Sequence, residues 1–414
     1  MSRPQHIAIS SLSVAAIVAI VVLVILGASG GAAAEAPCGP RTDGVYLATA
    51  RTVATRIRDE ELAGATVLRA LRTISSDRAL ASAVAAGDLP AVHRELLAIL
   101  FNHQHIVRLR VLRAGRVLDD VGGPLVLSPV SGRLRSHGRD VGTFAFSVQD
   151  DMGYRLLAAR LVGARTVMRY GSETVMANIG VGSAALRDGG VVRVAGTAYL
   201  IGSLDIGRFP TGTLRVALLV PRPRAALSHV SCAQVRTDVL GGVARRVYDE
   251  SLTGPAITSA LGGVRHDRTL AAALARGDRA TARHEVEKLF NKVHLVRLQV
   301  SSSGGVVADL GTRQPLVAPV TMAIVDGSGA RVGAAAMAVQ SVGGFVGVSS
   351  YLTQARVLAR DEGHQLGGRI AGPATLPASG AVAYAGARYY VSSFSGTLFG
   401  GGAMTVYTLA RDQG

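Results

Sequence analysis

Residues 101–111 read FNHQHIVRLRV, and residues 290–300 read FNKVHLVRLQV, so this stretch returns almost unchanged later in the chain. The same spacing, roughly 190 residues, relates further pairs of segments along both halves. These pairs are Cys38 with Cys232, Asp77-Arg78 with Asp267-Arg268, Val141-Gly142 with Val332-Gly333, and Gly196 to Tyr199 with Gly386 to Tyr389. A period of this length is the size of a domain, whereas solenoid repeats are much shorter. The chain therefore contains a tandem duplication.

Within each copy, the apolar pattern changes from a helical period to a period of two. Val92, Leu96 and Leu100 form an apolar stripe on the segment from Asp88 to Phe101, which predicts a helix packed on a sheet. From Ile106 onward, successive residues alternate between two faces, and this period of two predicts strands. Further strands are expected at 117–119, 142–149, 155–161, 191–194, 198–204 and 214–220. Helices followed by an antiparallel meander indicate an α+β fold.

Pro221 to Arg224 reads as a short, stiff linker between the two copies. The expected organisation is a targeting segment at 1–36, a first domain at 37–224 and a second domain at 225–414. Each half is long enough to bury its own apolar core.

The N-terminal segment from Ile7 to Ala34 carries no charged residue and is strongly aliphatic. Its length suits a single-pass membrane anchor, whereas the small residues Ala32 to Ala34 also suit cleavage of a signal peptide. Both alternatives place the remaining chain outside the cytoplasm. The predicted localisation is the cell membrane with extracellular domains, or secretion if the segment is cleaved.

The chain has a formal net charge of +16, no tryptophan and only two cysteines. Nucleic-acid binding is not expected, because the chain is predicted to be exported and has no clustered basic run. Anionic envelope polymers or lipid head groups are the expected neighbours of this basic surface. Cys38 and Cys232 occupy matching positions, so a disulfide between them is predicted for an oxidising compartment. Intermolecular pairing in a homodimer is the alternative.

The first copy resembles the PAS-like extracytoplasmic sensor domains of the Cache family, as found in bacterial sensor histidine kinases. The segments that carry the resemblance are 105–111, 115–123, 127–130, 141–144 and 147–154. The resemblance implies a long N-terminal helix against a curved antiparallel sheet, with a small-molecule pocket beside the sheet. The second copy departs from the pattern at Gln340-Ser341-Val342, where the first has Gln149-Asp150-Asp151. The sequence contains no kinase region, so signalling is expected to pass through a separate membrane protein.

Arg108 and Arg110 share one face of a predicted strand and are candidates to clamp a carboxylate, which suggests an anionic ligand. The alternative is that both side chains face the helix or water. The matching residues in the second copy are Arg297 and Gln299, which weakens the case for a clamp.

Asp150 and Asp151 precede Tyr154 and are candidates for a pocket rim that accepts hydrogen bonds from an amine. Aspartate and glycine are also ordinary residues of hairpin turns, so a plain turn is the competing interpretation. Tyr199 and Tyr389 recur in the penultimate strand, where a phenol either donates to a ligand or packs in the core.

Signals for a metal or for catalysis are weak. His103 and His105 have the spacing of two ligands on one strand face, but only His294 repeats and no cysteine or carboxylate joins them. The sequence has no nucleophile elbow, zinc-protease motif or phosphate loop. We therefore expect no cofactor and no enzyme activity. The favoured function is extracytoplasmic sensing or binding of a small molecule, and the alternative is a structural or adhesion module of the cell envelope with degenerate pockets.

Overall fold

Four helices begin the first half of the chain in the computed structural model, which describes residues 36–412 apart from 103–104, 125, 181–185, 224, 293–294 and 369–371. They are α1 (Thr42–Ala63), α2 (Ala65–Ser76), α3 (Arg78–Ala86) and α4 (Leu89–Asn102). The expected membrane segment and the histidines at 103 and 294 lie outside the described residues. Within the described part, no helix is long and apolar enough to cross a bilayer.

The boundaries of α3 follow from its flanking residues. The Asp77 side chain accepts a hydrogen bond from the Leu80 amide at 2.9 Å, which supplies a partner for one of the free amides of the first turn. Gly87 ends the helix in the left-handed conformation at φ 74°. The predicted apolar stripe of α4 is confirmed, because Val92 and Leu96 are fully buried.

A first antiparallel sheet follows the helices in the order β2-β1-β5-β4. Helices α2 to α4 pack on it and enclose a core that includes Ile74, Leu96, Leu109 and Phe144. A two-stranded ribbon, β3-β6, leads to α5 (Asp151–Leu157), and a second sheet then forms in the order β8-β7-β11-β10-β9. The strands are β1 (Arg108–Arg113), β2 (Arg116–Gly122), β3 (Val126–Leu127), β4 (Val130–Ser136), β5 (Arg139–Ser147), β6 (Gln149–Asp150), β7 (Arg165–Tyr170), β8 (Glu173–Ala177), β9 (Val191–Val194), β10 (Thr197–Gly207) and β11 (Thr213–Pro221).

The second half repeats this order of elements. Its sheets have the orders β13-β12-β16-β15 and β19-β18-β22-β21-β20, with a ribbon β14-β17. The helices are α6 (Cys232–Thr253), α7 (Pro255–His266), α8 (Arg268–Arg276), α9 (Arg279–Lys292) and α10 (Val342–Thr353). The strands are β12 (Arg297–Ser302), β13 (Gly305–Gly311), β14 (Leu316–Val317), β15 (Val320–Val325), β16 (Arg331–Ala338), β17 (Gln340–Ser341), β18 (Arg356–Asp361), β19 (His364–Gly367), β20 (Ser379–Tyr384), β21 (Ala387–Thr397) and β22 (Ala403–Arg411). The predicted α+β class with antiparallel sheets is confirmed.

The strand expected at 155–161 is wrong, because this segment continues helix α5 and then forms a π-helix, Ala158–Val162. Asp150 caps the helix, since its side chain accepts from the Gly153 amide at 2.6 Å. Tyr154 and Ala158 are four residues apart and both fully buried, which is the spacing of one helix face. The turn predicted at Asp150 to Gly153 is therefore the start of a helix.

The two halves share one apolar core. Residues of α1 such as Val53 and Ile57 belong to the same buried cluster as Val243 of α6 and Phe345 of α10. Cys38 and Cys232 form the predicted disulfide, with a separation of 194 residues along the chain. Residues 38–414 cluster as one compact unit, so the division into domains at 37–224 and 225–414 stays a prediction.

Candidate functional site

Arg108 and Arg110 lie side by side on β1 and both bind Asp120 of β2. Arg108 donates from Nε and one terminal nitrogen to the two carboxylate oxygens, each at 2.8 Å, and Arg110 Nε donates at 2.9 Å. Arg108 also donates to the carbonyl oxygens of Gly123 and Pro124, at 3.0 and 3.1 Å. Burial raises the pKa of Asp120, but the hydrogen bonds from both guanidinium groups outweigh it and hold this pKa below its usual range. A ligand carboxylate would therefore have to compete with Asp120.

The second copy keeps most of this arrangement. Arg297 binds Asp309 at 2.8 and 2.7 Å, and its guanidinium lies 4.6 Å from the centre of the Phe399 ring. In the first copy, Arg108 and Arg110 lie 5.0 and 5.4 Å from the centre of the Phe209 ring. An arrangement present in both copies is well explained by its role in joining the two sheets. The carboxylate clamp stays a prediction.

Asp150, Asp151 and Tyr154 come together at the first turn of α5. Tyr154 is fully buried and its hydroxyl donates to the Ala54 carbonyl of α1 at 3.2 Å. Asp151 is 9% exposed, and its Oδ2 has no hydrogen-bond partner among the described residues. The structure thus places three predicted site residues against the long helix α1.

Glu61, near the end of α1, belongs to the same region and was missed by the sequence analysis. Its side chain is buried, with 7% of its surface exposed, yet neither carboxyl oxygen has a partner among the described residues. In the sequence it ends the run Arg58-Asp59-Glu60-Glu61, which has the composition of a solvated helix face. A comparison of the two copies could have identified Glu61, because the residue that matches it in the second copy is the uncharged Ser251.

The electrostatics of this region favour a neutral Glu61. Burial raises the pKa of Glu61 to about 9, and the negative charge of nearby Asp150 acts in the same direction. Burial and then the charge of Glu61 also raise the pKa of the Tyr154 hydroxyl. Gln149 Nε2 is a further unpartnered polar atom, located next to Gly153, where an added Cβ would lie 3.0 Å from it. We call Glu61, Gln149, Asp150, Asp151 and Tyr154 the carboxyl cluster.

The equivalent region of the second copy has its polar groups paired. Ser251 donates to Gln340 Oε1 at 2.7 Å, so the residues matching Glu61 and Gln149 are hydrogen-bonded to each other. Ser341 replaces Asp150 as the helix cap and accepts from the Gly344 amide at 3.0 Å. Val342 replaces Asp151 and is 1% exposed. At the positions of Glu61, Gln149 and Asp151, the second copy therefore has hydrogen-bonded or apolar side chains, whereas the first copy has polar atoms without a partner among the described residues.

Tyr199 belongs neither to the arginine–aspartate arrangement around Asp120 nor to the carboxyl cluster. It is half-buried on β10 and packs with Val167, Leu219 and Val192 against the second sheet. Its counterpart Tyr389 is likewise in an apolar cluster, with Leu358 and Val391. A ligand role for Tyr199 stays a prediction. In the part of the chain that the structure describes, no group of histidine, cysteine and carboxylate side chains is arranged to hold a metal ion.

No protein-family model and no curated protein matches the chain. Among solved structures, the chain is similar to the periplasmic domain of Vibrio cholerae LuxQ at 10% identity and a TM-score of 0.30, over 43% of this chain and 100% of that one. It is also similar to an extracellular ligand binding receptor from Desulfohalobium retbaense at 13% identity and a TM-score of 0.26, over 54% of this chain and 47% of that one. The chain thus spans about half the length of the receptor structure. Likenesses this low carry no conclusion about function.

Proposed function

We propose that this chain is a non-catalytic, extracytoplasmic sensor protein whose first copy binds a small molecule at the carboxyl cluster. The ligand carries an ammonium group or another strong N–H donor. The protein reports occupancy to a separate membrane protein, and the second copy supports the first without binding the same ligand. The sequence resemblance to tandem PAS-like sensor domains agrees with this assignment.

The observation that carries the proposal is the unpaired carboxyl of Glu61. A buried polar group without a partner costs about 1–3 kcal/mol of stability, so such groups are rare in native structures. The second copy avoids this cost at the same position with the Ser251–Gln340 hydrogen bond. A ligand that supplies the missing partner explains why the first copy keeps the unpaired group.

The atoms of the carboxyl cluster define the chemistry of the ligand. Glu61 offers two acceptor oxygens once it is ionised and Asp151 offers Oδ2, whereas Gln149 Nε2 is a donor. A primary ammonium with a neighbouring carbonyl or carboxylate oxygen satisfies both kinds of group. Its positive charge would also favour the ionised form of Glu61, so binding at neutral pH releases a proton from this carboxyl.

The position of Glu61 on α1 provides a route for a signal. This helix directly follows the N-terminal segment in the sequence, and it also contacts the second copy, because Arg56 donates to the Leu352 carbonyl at 2.8 Å. Ligand binding that stabilises one position of α1 shifts the population between two arrangements of the helix. A membrane partner that contacts α1 or the preceding segment would then detect this shift.

A thermal-shift screen of the purified chain against amines, amino acids, organic acids and purines tests the proposal. We expect a saturable rise in Tm with an amine-bearing compound, because a ligand present at 100 times its Kd stabilises the folded state by about 2.7 kcal/mol. The rise should be lost in Glu61→Ser, which installs the residue of the second copy, and kept in Glu173→Ser, where the replaced glutamate is exposed.

Two results would contradict the proposal. A rise in Tm that persists unchanged in Glu61→Ser would place the ligand elsewhere. The absence of any shift across the library would favour the structural role in the cell envelope. Calorimetric titration in two buffers of different ionisation enthalpy provides a second readout, because the proposal requires proton release on binding.

A further inference from the structure

A second difference between the copies lies at the far ends of their first sheets. The hairpins β1–β2 and β4–β5 border a cavity of about 650 Å³, which also contacts Ala85 at the end of α3. The same place in the second copy holds a cavity of about 460 Å³ beside Ala275 at the end of α8. The two cavities are equivalent in position, but three arginines and one aspartate line the first, whereas one arginine, Arg331, lines the second.

Three arginines line the first cavity, and each of them has a neutral counterpart in the second copy. Strand pairing fixes the equivalence: Arg113 pairs with Arg116 across its hairpin, as Ser302 pairs with Gly305. Arg133 pairs with Thr143, as Ala323 pairs with Ala334. Arg139 begins β5 one residue before Asp140, and its counterpart Ala330 precedes Arg331. The first cavity therefore has three arginines at positions that are uncharged in the second copy, whereas the matching pair Asp140 and Arg331 changes the charge in the opposite direction.

Two of these guanidinium groups are available to a ligand. Arg113 and Arg139 are exposed and make no ion pair with any described residue. The Arg113 side chain lies over Gly87, where an added Cβ would come within 2.7 Å of one of its terminal nitrogens. Glycine at this helix end thus leaves room for the arginine to lie beside the cavity.

One carboxylate already occupies part of this surface. Asp140 accepts from Arg133 at 2.9 Å and from Arg135 at 2.7 Å. These hydrogen bonds, from Arg135 first and Arg133 second, hold the pKa of Asp140 below its usual range. The contacts show that neighbouring arginines here can bind the two oxygens of one anionic group. The lining still has a positive excess, because Arg113, Arg133 and Arg139 face a single aspartate.

The surface continues beyond this cavity. A second opening of about 640 Å³ shares Arg133 and Thr143 with it and adds Ser131 and Thr211, together with Arg110, which is already paired with Asp120. Arginine and hydroxyl groups together are suited to phosphate oxygens, because the guanidinium binds them in pairs and hydroxyls add single donors. We call these two adjoining cavities the arginine groove.

We propose that the arginine groove binds a flexible polyanion that carries repeated phosphate groups, at a site separate from the carboxyl cluster. The two adjoining cavities share Arg133 and Thr143, so a chain of successive phosphate groups can contact both of them at once. The arginines are exposed, so each contact is weak and salt-sensitive, and affinity arises from several phosphates bound at once.

Fluorescently labelled inorganic polyphosphate, titrated into the full chain and followed by anisotropy at several salt concentrations, tests this proposal. The key variant is Arg113→Ser, Arg133→Ala and Arg139→Ala combined, which installs the residues of the second copy and so keeps side chains that this fold already accepts. We expect affinity to fall by about tenfold or more, and the dependence of log K on log salt to become shallower by about 2.

The matched control is Arg265→Ser, Arg268→Ala and Arg276→Ala combined, which removes the same charge from exposed positions of the second copy. Equal weakening in the control would overturn the proposal, because bulk charge would then explain binding. It would also be overturned by a lack of polyphosphate binding, or by vesicles containing phosphatidylglycerol binding more tightly than polyphosphate through the same arginines. The reverse variant, with Ser302→Arg, Ala323→Arg and Ala330→Arg combined, should gain affinity.

Discussion

The two halves of this chain have the same skeleton but different polar interiors. Both repeat the arginine–aspartate pair beneath an aromatic ring, as Arg108 with Asp120 and Arg297 with Asp309. Among the described residues, the first half has an unpaired buried carboxyl at Glu61, where the second half has Ser251 bound to Gln340. Features held in common therefore describe what the fold needs, and features found in one half indicate what that half does.

The comparison also separates two kinds of charge. Asp120 is paired within the protein, which contributes to stability, whereas Glu61 is buried without a partner among the described residues, and we propose that a ligand supplies that partner. The arginine groove follows the same reasoning at the surface, since Arg113 has Ser302 as its counterpart. Substitutions that separate the halves, or that change one half with the other as the reference, test this comparison.

The largest expected effect comes from removing the covalent link between the halves, with Cys38→Ser and Cys232→Ser combined. Closing a loop of 194 residues restricts the unfolded chain, so the free energy of unfolding should fall by about 2–5 kcal/mol. Urea denaturation measures the loss. Because both halves contribute to one core, we expect a single transition to persist. Two separated transitions would show that the halves fold independently.

A smaller effect is expected for Glu61→Ser, with a characteristic dependence on pH. The pKa of Glu61 is raised from 4.5 to about 9, so between these values the unfolded chain has lost a proton that the folded chain keeps. The contribution of this group to stability is therefore fully present below about pH 4.5 and falls as the pH rises toward 9. The variant removes this fall and should stabilise the protein by about 1–3 kcal/mol at pH 8.

Urea denaturation at pH 5 and pH 8 checks this prediction. The gain in the variant should be larger at pH 8 than at pH 5. Ser251→Ala serves as the reference in the second copy, because it breaks a satisfied hydrogen bond and should lower stability at both pH values. A gain in Glu61→Ser that does not change with pH would show that the carboxyl titrates normally.

The smallest effect is the difference between Asp120→Asn and Asp309→Asn. Asp120 binds two arginines and its side chain is 17% exposed, whereas Asp309 pairs with one arginine and is 32% exposed. We expect a loss of about 1.5–3 kcal/mol for Asp120→Asn at neutral pH and a smaller loss for Asp309→Asn. Their lowered pKa values mean that both contributions are present above the usual pKa of aspartate and are lost in strong acid. Equal losses at pH 7 would mean that the second arginine adds nothing.

Much of the architecture was predictable from local pattern. Spacing and periodicity predict the duplication, the order of helices before strands and the pairing of Cys38 with Cys232. The helix in the segment 155–161 could not be predicted, because its apolar residues fit a strand as well as a helix. The hydrogen bond from the Gly153 amide to Asp150, which caps this helix, depends on where β6 ends. The helix Ala65–Ser76 was likewise not foreseen.

Some residues of the candidate site could likewise be predicted from the sequence, and others could not. Asp150, Asp151 and Tyr154 could be proposed together because they are neighbours in sequence. Glu61 could not be predicted, because its acidic run resembles a solvated helix face, and only the folded structure shows that its side chain is buried. The partners of Arg108 and Arg110 were also hidden, because strand register brings Asp120 beside them.

By itself, the sequence determined the duplication, the order of helices and strands, the basic charge and the identity of every ionisable group. The tertiary structure decided which of those groups are buried, which are paired and which have no partner. The physical reason is that charge and periodicity are local properties of a chain, whereas the environment of a side chain depends on surfaces that meet only after folding. Glu61 and Ser251 occupy matching places in the repeat, and only the folded contacts show that one is satisfied and the other is not.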